Sequence, residues 1–243
     1  MSAKMIQNSS VLLSQCDNTA RMSIPSIFAQ FMDMATQHAD ELHVSSKELG
    51  DDMFWIITRT KVHIDRRPEI SEPVTLATWP QTPVRIRSNR CYTISDNQGV
   101  IISGKTEWTV LELSSGKLQR LSDIFPGGTQ YCDDACIEEP YAKVGADFDD
   151  AESIGEYLIT SNDIDMVGHM NNSAYIRALC SMFTTRQLSD NEITDIDIAY
   201  KAQSYEGETL TVKAKDTDIV GTTDYAMIKP DGTIAVTVRI VRR

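Results

Sequence analysis

Two stretches decide the fold once they are set side by side: residues 11–35, VLLSQCDNTARMSIPSIFAQFMDMA, and residues 157–181, YLITSNDIDMVGHMNNSAYIRALCS. Each runs from a short apolar segment through a polar loop into an apolar helix, at an offset of 146 that places Leu12 on Leu158 and Asp17 on Asp163. The correspondence continues at 134, with Glu72, Thr75 and Leu76 on Glu206, Thr209 and Leu210. It ends at 133, with Tyr92 on Tyr225 and Gly99 on Gly232. Self-similarity of this kind marks a duplicated structural unit. The fall from 146 to 134 puts about twelve extra residues in the first half, most simply in the loop around Leu42 to Asp52.

Each unit reads as strand, helix, then several strands. Trp55 to Ile64, Val74 to Trp79, Arg85 to Ser95 and Val100 to Glu112 are rich in β-branched and aromatic residues, and Asp96-Asn97-Gln98-Gly99 has hairpin-turn chemistry. The second half repeats this with Ile193 to Tyr200, Thr209 to Asp216, Thr223 to Lys229 and Thr233 to Val241, turning at Pro230-Asp231-Gly232. The helices are too apolar for a surface. From Asn172 to Leu188 the charges are Arg177 and Arg186 alone, while Tyr175, Leu179, Met182 and Phe183 repeat at three- and four-residue spacing. In the first half Ile27, Phe28, Phe31, Met32 and Ala35 form the core stripe, with Asp33, Gln37 and Asp40 on a more polar side. A long buried helix wrapped by a curved antiparallel sheet is a hotdog unit. The expected architecture is therefore an α+β double hotdog, with units at 1–125 and 154–243 joined by an acidic linker at 126–153.

Charge supports that division. The 243 residues carry a net charge of −12, yet residues 1–120 hold 13 basic and 13 acidic side chains, and residues 121–160 hold 1 and 10. No large basic excess is present to displace counterions from nucleic-acid phosphates, so no duplex partner is expected. Val11-Leu12-Leu13 is too short for a signal-peptide core, and no stretch approaches the roughly 20 apolar residues of a membrane span. Five scattered cysteines, Cys16, Cys91, Cys132, Cys136 and Cys180, then read as reduced thiols of a cytoplasmic protein. Cys132 and Cys136 have no neighbouring His or second Cys pair, so no metal site is expected.

The chemistry lies in Asn162 to Tyr175, NDIDMVGHMNNSAY. This D-x-D-x-x-G-H-x-N-N-x-x-Y string resembles the active-site signature of hotdog thioesterases, especially the plant and bacterial acyl-ACP thioesterases. Trp55 to Val62 (WIITRTKV), Ile64 to Pro68 (IDRRP), Thr78-Trp79, Trp108 and Leu118 to Leu121 (LQRL) extend the likeness over essentially the whole chain.

A thioester carbonyl needs a nucleophile, or a base to raise a water onto it, and donors aimed at the developing oxyanion. The resemblance implies that Asp165 activates water or attacks directly, and that His169 orients or polarises the water or the leaving sulfur. Gly168 permits close backbone approach. Free N–H groups of a helix starting near Asn171 or Asn172 would hold the oxyanion, although both asparagines read first as helix caps. Two positions depart from the plant pattern. The family's catalytic Asn falls on Val167, and its later acid falls on Gln203, beside Ser204 where the family has Cys. Gln203 can hydrogen-bond a water but cannot take its proton.

Asp163 reads as a turn residue. In the first half Ala20 falls near the slot of the catalytic loop and Ser23 on that of His169, so one active site per chain is expected, with the first unit holding the acyl chain. Phe28, Phe31, Met32 and Met34 read as core rather than tunnel lining. The implied partner is an acyl carrier protein, which is acidic and would dock on Arg66, Arg67, Arg85, Arg87 and Arg90, with Lys117 and Arg120 nearby. No cofactor is implied. An acyl-CoA thioesterase and a non-catalytic acyl-binding protein stay open as alternatives, as does a homodimer.

Overall fold

In the computed structural model, which describes residues 2–190 and 192–243, each half of the chain builds half of one sheet. The first half contains β1 (Met5–Ser10), α1 (Ile24–Glu41), α2 (Ser46–Leu49), β2 (Met53–Ile64), β3 (Pro73–Pro80), β4 (Ser88–Ser95), β5 (Val100–Glu112), β6 (Lys117–Leu118) and α3 (Leu121–Ile124). The second contains β7 (Glu152–Leu158), α4 (Asn172–Cys180), α5 (Thr185–Asp190), β8 (Ile193–Tyr200), β9 (Thr209–Asp216), β10 (Thr222–Ile228) and β11 (Ile234–Arg242). The strands lie in the order β1-β3-β4-β5-β2-β8-β11-β10-β9-β7, with β6 beside β5, and every pairing is antiparallel. The order reads the same from either end once the halves are matched. The chain is thus a double hotdog, closed edge to edge at β2 and β8, where Lys61 faces Asp197 and His63 faces Asp195.

The apolar helices account for the core. Ile24, Ile27, Phe28, Phe31, Met34 and Ala35 of α1 are buried with Ala174, Tyr175, Ile176, Ala178 and Leu179 of α4, in one cluster spanning both halves. Phe31 stacks on Tyr92 of β4 at a centroid distance of 4.7 Å. Gly104 of β5 makes room for it, because a Cβ there would run into the Phe31 ring. Met32 is only partly buried, whereas His38, one turn beyond the expected stripe, is buried.

The helix expected over Asn172–Leu188 is two. It stops at Cys180, and Thr184 and Gln187 form a reciprocal cap in which the Thr184 N–H donates to the Gln187 side chain and the Gln187 N–H to the Thr184 hydroxyl. That capping box opens α5 as a separate helix. By contrast α1 runs unbroken from Ile24 to Glu41, the stretch that α4 and α5 share in the second half, so the first half's surplus falls after the helix, between Glu41 and β2.

The acidic segment between the halves lies across the sheet rather than in solvent. The Trp79 indole N–H donates to the Asp134 carbonyl at 2.9 Å, and the Lys105 ammonium donates to the carbonyls of Ile137 and Glu139. The Lys61 ammonium reaches the Pro140 carbonyl, the Ala142 N–H donates to Asp197 at 2.6 Å, and the Lys213 ammonium reaches the Phe148 carbonyl at 2.8 Å. The alternate strand residues that face away from the helices bind this strap. Among the described residues no helix is long and apolar enough to cross a membrane.

Candidate active site

The loop before α4 is shaped by Asp165. Its N–H donates to the His169 carbonyl at 2.9 Å, and its own carbonyl accepts from the Gly168 N–H at 3.1 Å. Its Oδ1 accepts from the N–H groups of Val167 (3.0 Å) and His169 (3.2 Å). The turn needs a positive φ at Gly168, 83°, which glycine supplies without steric cost. One carboxylate oxygen therefore organises the loop, while Oδ2 has no protein partner among the described residues.

His169 follows with its ring edge-on to Tyr205 at a centroid distance of 5.3 Å, and neither ring nitrogen bonds a protein atom among the described residues. The Tyr205 hydroxyl donates to the Gln203 side-chain oxygen at 3.3 Å. Lys229 braces the same corner, with its ammonium 5.3 Å from the centre of the Tyr205 ring, 3.2 Å from Glu208 and 2.8 Å from the Gln203 carbonyl. The structure thus gathers Asp165, His169 and Gln203 on two facing loops, pinned together by the Met170 N–H donating to the Ser204 carbonyl at 2.8 Å. Tyr205 and Lys229 belong to this corner and carry no recognisable signal in the sequence.

The caps behave as their residue types suggest. The Asn171 side chain accepts from the Ser173 N–H at 2.9 Å, and Asn172 is the first helical residue. The Gly168 N–H is spent in the turn, so it is not a free oxyanion donor. The Asn172 N–H has no partner among the described residues. Asp163 is buried and takes donors from Tyr157, Thr160 and Arg177. Burial pushes its pKa up, but these donors outweigh burial and hold it below the ordinary carboxylate range.

The first half holds the same loop with different chemistry. Cys16 bridges Met22 as Ile164 bridges Met170, an offset of 148. The Asp17 N–H donates to the Arg21 carbonyl, the Ala20 N–H to the Asp17 carbonyl, and the Met22 N–H to the Pro68 carbonyl, bond for bond with the second loop. The counterpart of Asp165 is therefore Asp17, not a residue near Ala20. Arg21 replaces His169, and Arg67 stands where the second half has Gln203. The sequence offsets of 146 and 134 are each two short of the 148 and 136 that the hydrogen bonds give. A slip of two keeps every strand residue on its own face, so hydrophobic pattern alone cannot detect it. The consequence is chemical: Arg67 ion-pairs with Asp17 Oδ2, the oxygen left open on Asp165.

The five docking arginines do not form a free patch. Arg90 is a correction: it points inward from β4, is 7% exposed, and bonds His38 and Thr78, so a carrier protein cannot reach it. Arg66 pairs with Glu72 and Asp96, Arg67 with Asp17, and Arg87 with Glu107. Arg85 is exposed and without a salt bridge among the described residues, and its carbonyl accepts the Leu121 N–H at 2.9 Å, next to exposed Arg120. A cavity of about 90 Å³ opens in the first half, walled by Ala39, Val44, Trp55, Trp108 and Phe125. Among the described residues no three His, Cys, Asp or Glu side chains are placed to hold a metal ion.

Two family models cover nearly all of the chain: the acyl-ACP thioesterase N-terminal domain over residues 3–125 and its C-terminal domain over 147–241. A chloroplastic acyl-[acyl-carrier-protein] hydrolase of Cuphea viscosissima is 23% identical over 203 residues, covering 77% of this chain and 48% of that protein. A chloroplastic oleoyl-acyl carrier protein thioesterase of Coriandrum sativum is 24% identical over 193 residues, covering 72% and 52%. The chain thus spans about half the length of the curated relatives it matches. Among solved structures, an acyl-ACP thioesterase from Bacteroides thetaiotaomicron superposes with a TM-score of 0.86 at 20% identity, covering all of both chains. The 12:0-ACP thioesterase of Umbellularia californica superposes at 0.87 and 14%, covering 100% of this chain and 98% of that one.

Proposed function

Because the chain belongs to the acyl-ACP thioesterase family, we propose that it hydrolyses fatty acyl thioesters of an acyl carrier protein, releasing the fatty acid and the free carrier thiol. The observation that carries this is Asp165, whose Oδ1 is fixed by two backbone N–H groups while Oδ2 stays open, in the same loop as the unpartnered imidazole of His169. A carboxylate held in that way is pre-oriented, and needs no rearrangement to meet a water or a carbonyl carbon.

In the hydrolytic step Asp165 Oδ2 takes a proton from water as the water oxygen bonds to the thioester carbon. The carbonyl oxygen gains the negative charge and is held by the Asn172 N–H at the positive end of α4. The C–S bond then breaks, and the thiolate recovers the proton through Asp165 or His169. Direct attack by Asp165, through an acyl anhydride that water later opens, uses the same oxygen. Gln203 acts by hydrogen bonding alone, oriented by Tyr205. The cavity of the first half, half open to solvent and flanked by Trp55 and Trp108, is the entrance for the acyl chain. Arg85 and Arg120 are the exposed cations best placed to meet an acidic carrier.

The test is steady-state hydrolysis of matched carrier-protein and CoA thioesters by the purified protein. Faster turnover of the carrier-protein thioester is expected. Preference for the CoA thioester would reassign the substrate, and binding without turnover of either would leave an acyl-binding protein.

A further inference from the structure

The same cavity holds a buried charge without a counterion. Arg90 lines it from the inner face of β4, between Ser88 and Tyr92 on alternate positions. Its Nη1 donates to His38 Nδ1 at 3.0 Å and to the Thr78 hydroxyl at 3.4 Å. His38 Nε2 donates to the Ser2 carbonyl at 3.4 Å, which leaves Nδ1 as the acceptor. Burial, and then the guanidinium beside it, depress His38 to about 4, so it is a neutral ring rather than a second charge. No aspartate or glutamate lines the cavity, and Arg90 has no carboxylate partner among the described residues. Its Nε and Nη2 bond no protein atom there.

Buried charges are ordinarily paired, because the desolvation penalty of a lone ion is large. Here the unused edge of a planar donor fork belongs to a residue that lines a cavity whose other lining side chains are uncharged, apolar ones with the hydroxyls of Thr36, Ser45, Ser46 and Ser88. A guanidinium edge matches one group above others, a carboxylate bound through two parallel N–H···O bonds. The matching position in the second half, Thr223 by the alignment of Tyr92 with Tyr225, carries no charge.

We propose that this cavity takes an aliphatic chain ending in a carboxylate, which Arg90 pairs through Nε and Nη2. The carboxylate has two sources: the far end of an acyl thioester bearing an ω-carboxyl group, or the carboxyl of a free fatty acid. The first rests on the thioesterase function above; the second does not. Either occupant removes the cost of the unpaired guanidinium, and a methyl-ended chain leaves it standing.

Trp55 and Trp108 line the cavity, so their fluorescence reports occupancy without turnover. Titration with decanoate and with 1-decanol should show the acid binding about tenfold more tightly, as expected for a charge-assisted bidentate pair. Arg90→Met should bring the two within about twofold, and Arg90→Lys should keep part of the difference. Equal binding of acid and alcohol by the wild type overturns the proposal, and so does a preference that survives in folded Arg90→Met. The wild-type comparison decides even where Arg90→Met does not fold. Carrier-protein thioesters of decanoate and of its ω-carboxyl analogue distinguish the sources. A KM about tenfold lower for the ω-carboxyl thioester makes the substrate the occupant, and equal KM values make it the free acid. Should no thioester be turned over, the thioesterase function fails while the fluorescence comparison still decides the carboxylate site.

Discussion

Asp17 and Asp165 sit in loops whose backbone hydrogen bonds match one for one, and the two carboxylates face opposite partners. Asp17 is closed by Arg67; Asp165 faces a corner where that position is Gln203, a neutral side chain engaged with Tyr205. The duplicated backbone is thus kept for its shape in both halves, because each Asp must hold its own turn. Chemistry depends on what stands at one facing position. An arginine there makes the loop a brace, and a glutamine there leaves an oxygen open.

Restoring the first half's partner in the second should close the site. Gln203→Arg is expected to pair with Asp165 as Arg67 does with Asp17 and to lower kcat/KM about 100-fold, a typical loss for a general base taken out of use. A melting temperature close to wild type would separate this from unfolding, and activity within about twofold of wild type would break the comparison.

The converse change, Arg67→Gln, should act on stability instead. Both partners are largely buried, so losing the pair costs on the order of 2 kcal/mol in urea unfolding, with kcat unchanged. Turnover gained by the first half would contradict its role, since Arg21 stands where His169 would be needed.

Acid should also separate the halves. His38 is buried neutral in α1, with a pKa lowered from 6.5 to about 4, first by burial and then by Arg90. The unfolded chain binds a proton there before the folded one does. This contribution to stability is therefore complete above about pH 6.5 and declines as pH falls toward 4, by at most about 1.4 kcal/mol per pH unit. Unfolding midpoints of His38→Gln should depend less on pH across that window, and an unchanged slope would show that another group sets it.

The smallest effect is expected from Gln203→Ala, which removes a hydrogen bond without installing a charge. A loss of a few-fold in kcat is expected, consistent with one neutral hydrogen bond at roughly 1 kcal/mol. A loss as great as that of Gln203→Arg would show that the amide itself takes part in the step.

Much of this was legible in the sequence because strands and buried helices announce themselves by period. Ile193 to Tyr200 and Thr209 to Asp216 are strands at their expected ends, and the loops of His169 and Gln203 come together at Tyr205. What escaped was set by particular contacts. The repeat register is fixed by loop hydrogen bonds, not by apolar pattern, so Asp17 was matched two residues away from its true counterpart. The break after Cys180 depends on the Thr184–Gln187 cap inside an otherwise apolar run. The strap is held through its carbonyls, which every residue has. Arg90 was readable in principle: its alternation with Tyr92 in β4 places it on the inner face, where an unpaired arginine is not a docking residue.

The most direct test is a matched pair, Asp165→Asn and Asp17→Asn, measured side by side for hydrolysis of an acyl-carrier-protein thioester. Asn keeps the side-chain acceptor that holds either turn, so folding is preserved while the carboxylate is lost. Asp165→Asn should lose about 1,000-fold or more in kcat, and Asp17→Asn should turn over within about twofold of wild type. Comparable losses in both, or retained activity in folded Asp165→Asn, would contradict a single active site built on Asp165.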